Sequence, residues 1–118
     1  MDQHKQFKNA VQFNNILKVK ELLLSKKIDP SFNLNISLKF ASIKGYYEIC
    51  ELLLNDPRIN PTIPENHSIM LANNNNHEKI VAILWQDQRV KNTLEENYEL
   101  LYKKLNKKDA LKKNIIIF

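Results

Sequence analysis

Reactive side chains are few in this chain, and their spacing decides what chemistry they support. Cys50 is the single thiol. It falls in a helical pattern beside Ile49 and Leu52, with no histidine held close by the sequence, and a buried free cysteine behaves as a small apolar side chain. His67 and His77 stand ten positions apart, and His4 is remote. No zinc-finger or ribbon spacing is present, so the histidines read as structural and neither metal nor other cofactor is expected. Glu48, Glu51, Glu65 and Glu78 are scattered and imply no cleft for acid–base work. One glycine in the whole chain leaves no phosphate-cradling loop. These residues point away from an enzyme.

The strongest electrostatic feature is a lysine cluster. Lys103, Lys104, Lys107, Lys108, Lys112 and Lys113 fall within eleven residues, beside Tyr102. Such a patch can attract nucleic acid or an anionic surface, and this is the alternative function the sequence offers. Against it, the lysines surround Leu101, Leu105 and Leu111 as the polar face of a helix, Glu99 can pair with Lys103 at i+4, and Asp109 dilutes the charge. No arginine fork or aromatic row accompanies them. The formal charge is +5, but 16 of the 18 basic residues are lysine, alongside 16 asparagines. That bias fits an AT-rich genome as well as it fits a nucleic-acid partner.

The elements that would position these residues recur. A shift of 31 positions brings Asp29-Pro30-Ser31 onto Asn60-Pro61-Thr62 and Lys91-Asn92-Thr93. It also brings Asn35 onto Asn66 and Asn97, Phe40-Ala41 onto Leu71-Ala72, Gly45 onto Asn76, Leu53 onto Leu84, and Asp56-Pro57-Arg58-Ile59 onto Asp87-Gln88-Arg89-Val90. Each unit reads as two helices and a loop. The first helix is expected to begin after an asparagine N-cap at 35, 66 and 97 and to end near Gly45 or Asn76, which tolerate the left-handed conformation. The second is expected over Tyr47–Asn55 and Glu78–Gln86, apolar at i, i+3 and i+4 with further cover around the sides. Prolines 30, 57, 61 and 64 confine the intervening segments to turns. In the first unit Phe7 and Ala10 match Leu38 and Ala41 at 31, whereas Val19 and Leu22–Leu24 match Ile49 and Leu52–Leu54 at 30. One residue then appears missing between its helices. The last unit degrades, with Lys103 for Ala72 and Lys107 for Asn76.

These residues resemble the ankyrin repeat family over nearly the whole chain. Phe40-Ala41, Gly45-Tyr46-Tyr47-Glu48-Ile49 and Leu52-Leu53-Leu54 sit where that pattern has leucine-alanine, Gly-His-Leu-Glu-Val and a triple leucine. Leu71-Ala72 and Asn76-His77-Glu78-Lys79-Ile80 fill the same places one unit later. The Asp-Pro-Arg-Ile-Asn-Pro variant at 56–61 is similar to divergent repeats of amoeba-infecting giant viruses and protists. Three departures are visible. Ile36-Ser37 and His67-Ser68 replace the Thr-Pro pair, Leu34 and Glu65 replace the finger-loop glycine, and the period is 31 against about 33.

The expected architecture is all-α, one domain over 1–118. It is a solenoid of about four stacked helix-turn-helix repeats with short finger loops, divided near 1–30, 31–61, 62–92 and 93–118, the outer two acting as caps. The apolar tail Asn114-Ile115-Ile116-Ile117-Phe118 is expected to cover the last repeat. The resemblance implies a non-catalytic scaffold that binds a protein partner through finger loops and first helices. In the second unit its contacts would be Phe32, Asn33, Asn35, Ile43 and Lys44. In the third they would be Ile63, Pro64, Asn66, Asn74 and Asn75, and in the fourth Leu94, Glu95 and Asn97. Phe32, Ile63 and Leu94 recur at 31 and are the expected apolar anchors. No apolar run approaches the ~18 residues of a membrane span, and the N-terminus lacks a signal-peptide pattern. With a lone cysteine, this suits a monomer in the cytoplasm, or in a host cytosol or nucleus.

Overall fold

The computed structural model describes residues 2–113, and every regular element among them is a helix. The expected tail at 114–118 lies outside the described residues. The helices are α1 (Gln3–Gln12), α2 (Ile16–Leu23), α3 (Phe32–Lys44), α4 (Tyr47–Leu54), α5 (His67–Asn74), α6 (Glu78–Trp85), α7 (Gln88–Asn97) and α8 (Glu99–Lys112). Helices α1, α3 and α5 neighbour one another in order, as do α2, α4 and α6, and each odd helix packs on the even helix that follows it. The body measures 57 × 22 × 22 Å.

Local chemistry explains the helix ends. The turn between paired helices passes through Asn14, Gly45 and Asn76, all at positive φ (54°, 78° and 61°). Glycine and asparagine adopt this conformation at low steric cost. At Gly45 an added Cβ would also lie 2.6 Å from His77 Cε1, so the site excludes a side chain twice over. The fourth equivalent is Lys107, and there the helix does not turn: α8 runs on to Lys112.

Asn14 also corrects the expected register of the first unit. Helices α2, α4 and α6 start at 16, 47 and 78 and are eight residues each, so the spacing is 31 throughout and nothing is missing. Val19, Cys50 and Val81 are equivalent and buried, as are Leu22, Leu53 and Leu84. The misleading signal was Lys18, which stands where Ile49 and Ile80 are buried, because α2 has a neighbour on one flank only. Leu24 is 84% exposed and belongs to no core position.

The core continues through Phe7, Leu38 and Ile69, then Ala10, Ala41 and Ala72, then Ile28, Ile59 and Val90, all buried at intervals of 31. Burying a leucine or isoleucine contributes roughly 1.5–3 kcal/mol, and alanine at the close helix contacts lets backbones approach. The fourth unit breaks the pattern. The segment equivalent to the finger loop becomes α7, started by the Asp87 side chain accepting from Arg89 N at 2.9 Å. Asn97 is the last residue of α7, and α8 opens two residues on at Glu99, close to the expected start, with Tyr98 in place of asparagine as its N-cap. Helix α8 is latched to α6 by Trp85 Nε1, which donates to Asp109 Oδ2 at 2.6 Å, and by an edge contact between Trp85 and Tyr102. Lys91 Nζ completes the latch at 3.1 Å from the same carboxylate oxygen.

Loops are joined across units by an Asp-x-Arg pair. The Arg58 guanidinium donates to both oxygens of Asp56, at 2.9 and 2.8 Å, and reaches back to the carbonyls of Leu23, Ser25 and Ile28 at 2.7, 2.9 and 2.8 Å. Arg89 repeats the fork onto Asp87 but reaches one carbonyl, Ile59 O, at 3.3 Å. Hydrogen bonds from a charged group contribute about 1.5–3 kcal/mol when partly buried. Arg58→Ala should therefore destabilise by about 2–3 kcal/mol and Arg89→Ala by about 1 kcal/mol or less. Urea denaturation of both variants checks the order.

Hydrogen bonds from the arginines hold the Asp56 and Asp87 carboxyls below their ordinary value. A depressed carboxyl adds stability above its ordinary pKa and loses it as pH falls through the folded pKa. The urea midpoint should hold from neutral pH to about pH 5 and fall as pH drops below the ordinary carboxyl value of 3.8, and should fall less in Asp56→Asn/Asp87→Asn.

Candidate functional site

Cys50 is fully buried in α4, with its Sγ 3.9 Å from Ser42 Oγ, and burial pushes its thiol up to about 12. A thiolate is the reactive form, so this side chain serves packing. His77 lies across the Gly45 turn with Nε2 2.9 Å from Ile43 O. His67 faces the exposed Glu65 at 3.8 Å. Among the described residues no three His, Cys, Asp or Glu side chains gather as metal ligands. Glu99 pairs with Lys103 at 2.9 Å on the open face of α8, as its spacing predicted, while Asp109 is drawn inward to Trp85 and Lys91. Lys104, Lys108 and Lys112 line one side of an open cavity of about 270 Å³ whose other wall includes Asn73, Asn76, His77 and Glu78. That wall carries its own carboxylate, which weakens the cavity as an anion site.

The proposed contact residues divide. Phe32 and Ile63 are 60% and 43% exposed, in or beside the loops that lead into α3 and α5. Asn33, Lys44, Asn74, Asn75 and Glu95 are exposed, Ile43 is 37% exposed, and Pro64 is half-buried. Asn35, Asn66 and Leu94 differ from expectation, for all three are buried. Neither asparagine caps its helix with a side-chain bond. Asn35 Nδ2 donates forward to Asn60 O and Ile63 O at 2.6 and 2.8 Å. Asn66 Nδ2 donates to Thr93 Oγ1 and Asn97 Oδ1, both at 2.9 Å. Asn35 thus braces the loop of the following unit, whereas Asn66 braces helix α7, where Asn97 is engaged as an acceptor. Leu94 is buried because α7 is a helix, and its position 31 residues after Ile63 no longer places it in a loop.

Around Asn35 and Asn66 the backbone is left-handed. Leu34 and Asn35 have φ of 55° and 61°, and Glu65 and Asn66 have 46° and 57°. Leucine and glutamate in this region cost roughly 1–2 kcal/mol each. The buried amides, bonded on the far side of the loop, hold that geometry.

Sequence reasoning named Ile43 but missed the stripe on α3 to which it belongs, in which Ile36 and Ile43 are exposed and Phe40 is half-buried. Ile36, Phe40 and Ile43 follow i, i+4, i+7 spacing, opposite the buried Leu38 and Ala41. Lys44 Nζ lies 5.7 Å from the Phe40 ring centroid, and Tyr46 meets that ring edge-on. Between α1 and α3 lies an open groove of about 360 Å³, lined by Lys8, Val11, Gln12, Ile36, Ser37 and Phe40. The signal was present as a second apolar face on one short helix.

No family model matches this chain, nor does any curated protein or solved structure.

If Cys50 is packing alone, a thiol reagent at mildly alkaline pH should modify it only as urea unfolds the chain. Rapid labelling of the folded protein would contradict its placement.

Proposed function

We propose that this chain is a non-catalytic binding scaffold, an ankyrin-like stack of helix pairs whose first helices and finger loops hold a protein partner. Support for the stack comes from the recurrence of the left-handed turns, the buried ladders and the cross-unit bonds at one interval of 31. The left-handed Leu34 and Glu65 supply a conformation that the resemblance assigns to glycine. The fourth unit departs from the other three, with a different pair, α7 and α8.

The observation that carries the binding role is where apolar surface is left wet. Phe13, Phe32, Leu34, Ile36, Ile43 and Ile63 are exposed on α3 or in the loops beside α1, α3 and α5, while Leu17 and Leu24 are exposed at α2 and Leu100 and Leu111 on α8. On α4 and α6 no large apolar side chain is exposed. Surface of this kind, gathered along one flank of rigid elements, suits association, because the side chains are ordered before the partner arrives. The lysines of α8 favour nucleic acid as a second reading, since Lys104, Lys107, Lys108, Lys112 and Lys113 form no ion pair among the described residues.

Affinity capture from lysate of the source cells tests the scaffold. Phe32→Ala/Ile36→Ala/Ile63→Ala should weaken specific partners at least tenfold, about 1.4 kcal/mol. Leu17→Ala/Leu24→Ala, at α2 and more exposed still, should retain them. Retention of every partner by a folded triple variant removes the proposed face. Salt-sensitive binding of bulk RNA that is lost with the α8 lysines would favour the second reading.

A further inference from the structure

The charges on the proposed binding flank are sorted. Helices α1, α3 and α5 contain no aspartate or glutamate, and they carry Lys5, Lys8, Lys39 and Lys44. Helices α2, α4 and α6 hold Glu21, Glu48, Glu51 and Glu78 beside Lys18, Lys20 and Lys79. The acidic residues of the preceding segments, Asp2, Asp29 and Glu65, lie outside the first three odd helices. None of Lys5, Lys8, Lys39 and Lys44 has a carboxylate within ion-pair distance among the described residues.

These free cations frame apolar surface. Lys8 lines the groove together with Ile36 and the half-buried Phe40, and Lys44 Nζ lies 5.7 Å from the Phe40 ring centroid. The α3 stripe of Ile36, Phe40 and Ile43 is thus bracketed by ammonium groups from two helices. A partner seated there gains apolar burial along its centre and charge attraction at both margins. Complementarity then requires carboxylates flanking one or two large apolar side chains.

We infer that the groove between α1 and α3, together with the adjoining end of α3, binds an acidic amphipathic peptide segment, with its apolar side chains against Ile36 and Phe40 in the groove and Ile43 beyond it, and its carboxylates toward Lys8 and Lys44. This rests on the reading of the first-helix flank as the binding face. A nucleic acid fits less well, because the margins present lysines without arginine forks and the centre is aliphatic as well as aromatic.

Three fluorescent probes test the assignment by anisotropy: a synthetic peptide with glutamates flanking leucine and phenylalanine at i and i+4, its glutamine counterpart, and polyuridylate. The glutamate peptide should bind at least tenfold tighter than the glutamine one, and the difference should shrink as salt rises. Lys8→Glu/Lys44→Glu alters exposed side chains only, so it should fold as the parent does while losing the glutamate peptide tenfold or more. Ile36→Ser should weaken both peptides. Equal binding of the two peptides, or glutamate binding untouched by the lysine reversals, overturns the acidic assignment. Polyuridylate that competes with the peptide and depends on the same lysines overturns it in favour of nucleic acid. A random-peptide display selection on the same protein separates the two levels. Selected peptides that lack acidic residues but fail on Ile36→Ser overturn the charge assignment and keep the face. Selection of nothing that depends on Ile36 overturns the face itself.

Discussion

A pair of eight-residue helices cannot bury its own apolar surface, and this constraint shapes the whole molecule. Helix α4 carries Ile49, Cys50 and Leu53, all fully buried, yet α3 can cover only one side of it. The remaining sides are covered by α2 and α6. Isolated helices of this length are marginal in water, so each pair depends on the one before and the one after. The polar links follow the same rule. Arg58 bonds backward to three carbonyls, while Asn35 bonds forward into the next loop and Asn66 forward onto α7. Buried, directional bonds of this sort fix the rotation between neighbours, which apolar contact alone leaves loose.

Periodic features were legible in the sequence because they repeat a physical need. The second helices lie within a residue of their expected ends, and Gly45 and Asn76 are left-handed, since few other side chains tolerate that turn. What the sequence hid falls into two kinds. One kind is the choice between partners for a polar side chain. An asparagine before a helix suggests a cap, yet at Asn35 and Asn66 burial makes the amide a brace across units. The other kind arises at the ends, where the need itself changes. Lys18 replaces a buried isoleucine because α2 faces water, and that single substitution shifted the apparent register by one. Lys107 replaces a turn residue, and the helix continues. Leu94 followed the 31-residue spacing of two exposed loop residues, but α7 formed there and buried it.

The apolar stripe on α3 was hidden for a related reason. A helix with Leu38 and Ala41 on one side and Ile36, Phe40 and Ile43 on the other reads as broadly hydrophobic, and breadth does not say which side is covered. Helices α1 and α5 flank α3, but they leave the stripe between them open. Exposure therefore depends on the angle at which neighbours pack, which no single-helix pattern encodes.

The charge sorting is hard to attribute to stability. Lysines at four places on adjacent helices repel weakly, and a carboxylate one turn away would relieve that. The chain uses this device elsewhere: Lys18 pairs with Glu21 at 3.5 Å, and Glu99 with Lys103 at 2.9 Å. Each exposed pair contributes only a few tenths of a kcal/mol. Its omission from α1, α3 and α5 costs the fold little and leaves their lysines unpaired for an incoming anion. Carboxylates appear instead on α2, α4 and α6, away from the open stripe. Helices without carboxylates, next to exposed Ile36 and Ile43, disfavour cationic partners along the stripe at no cost in packing, and the nearest acids, Asp29 and Glu65, stand in the loops. That is a property of selection between partners, since the buried ladders of Leu53 and Leu84 hold whichever sign the outer residues carry.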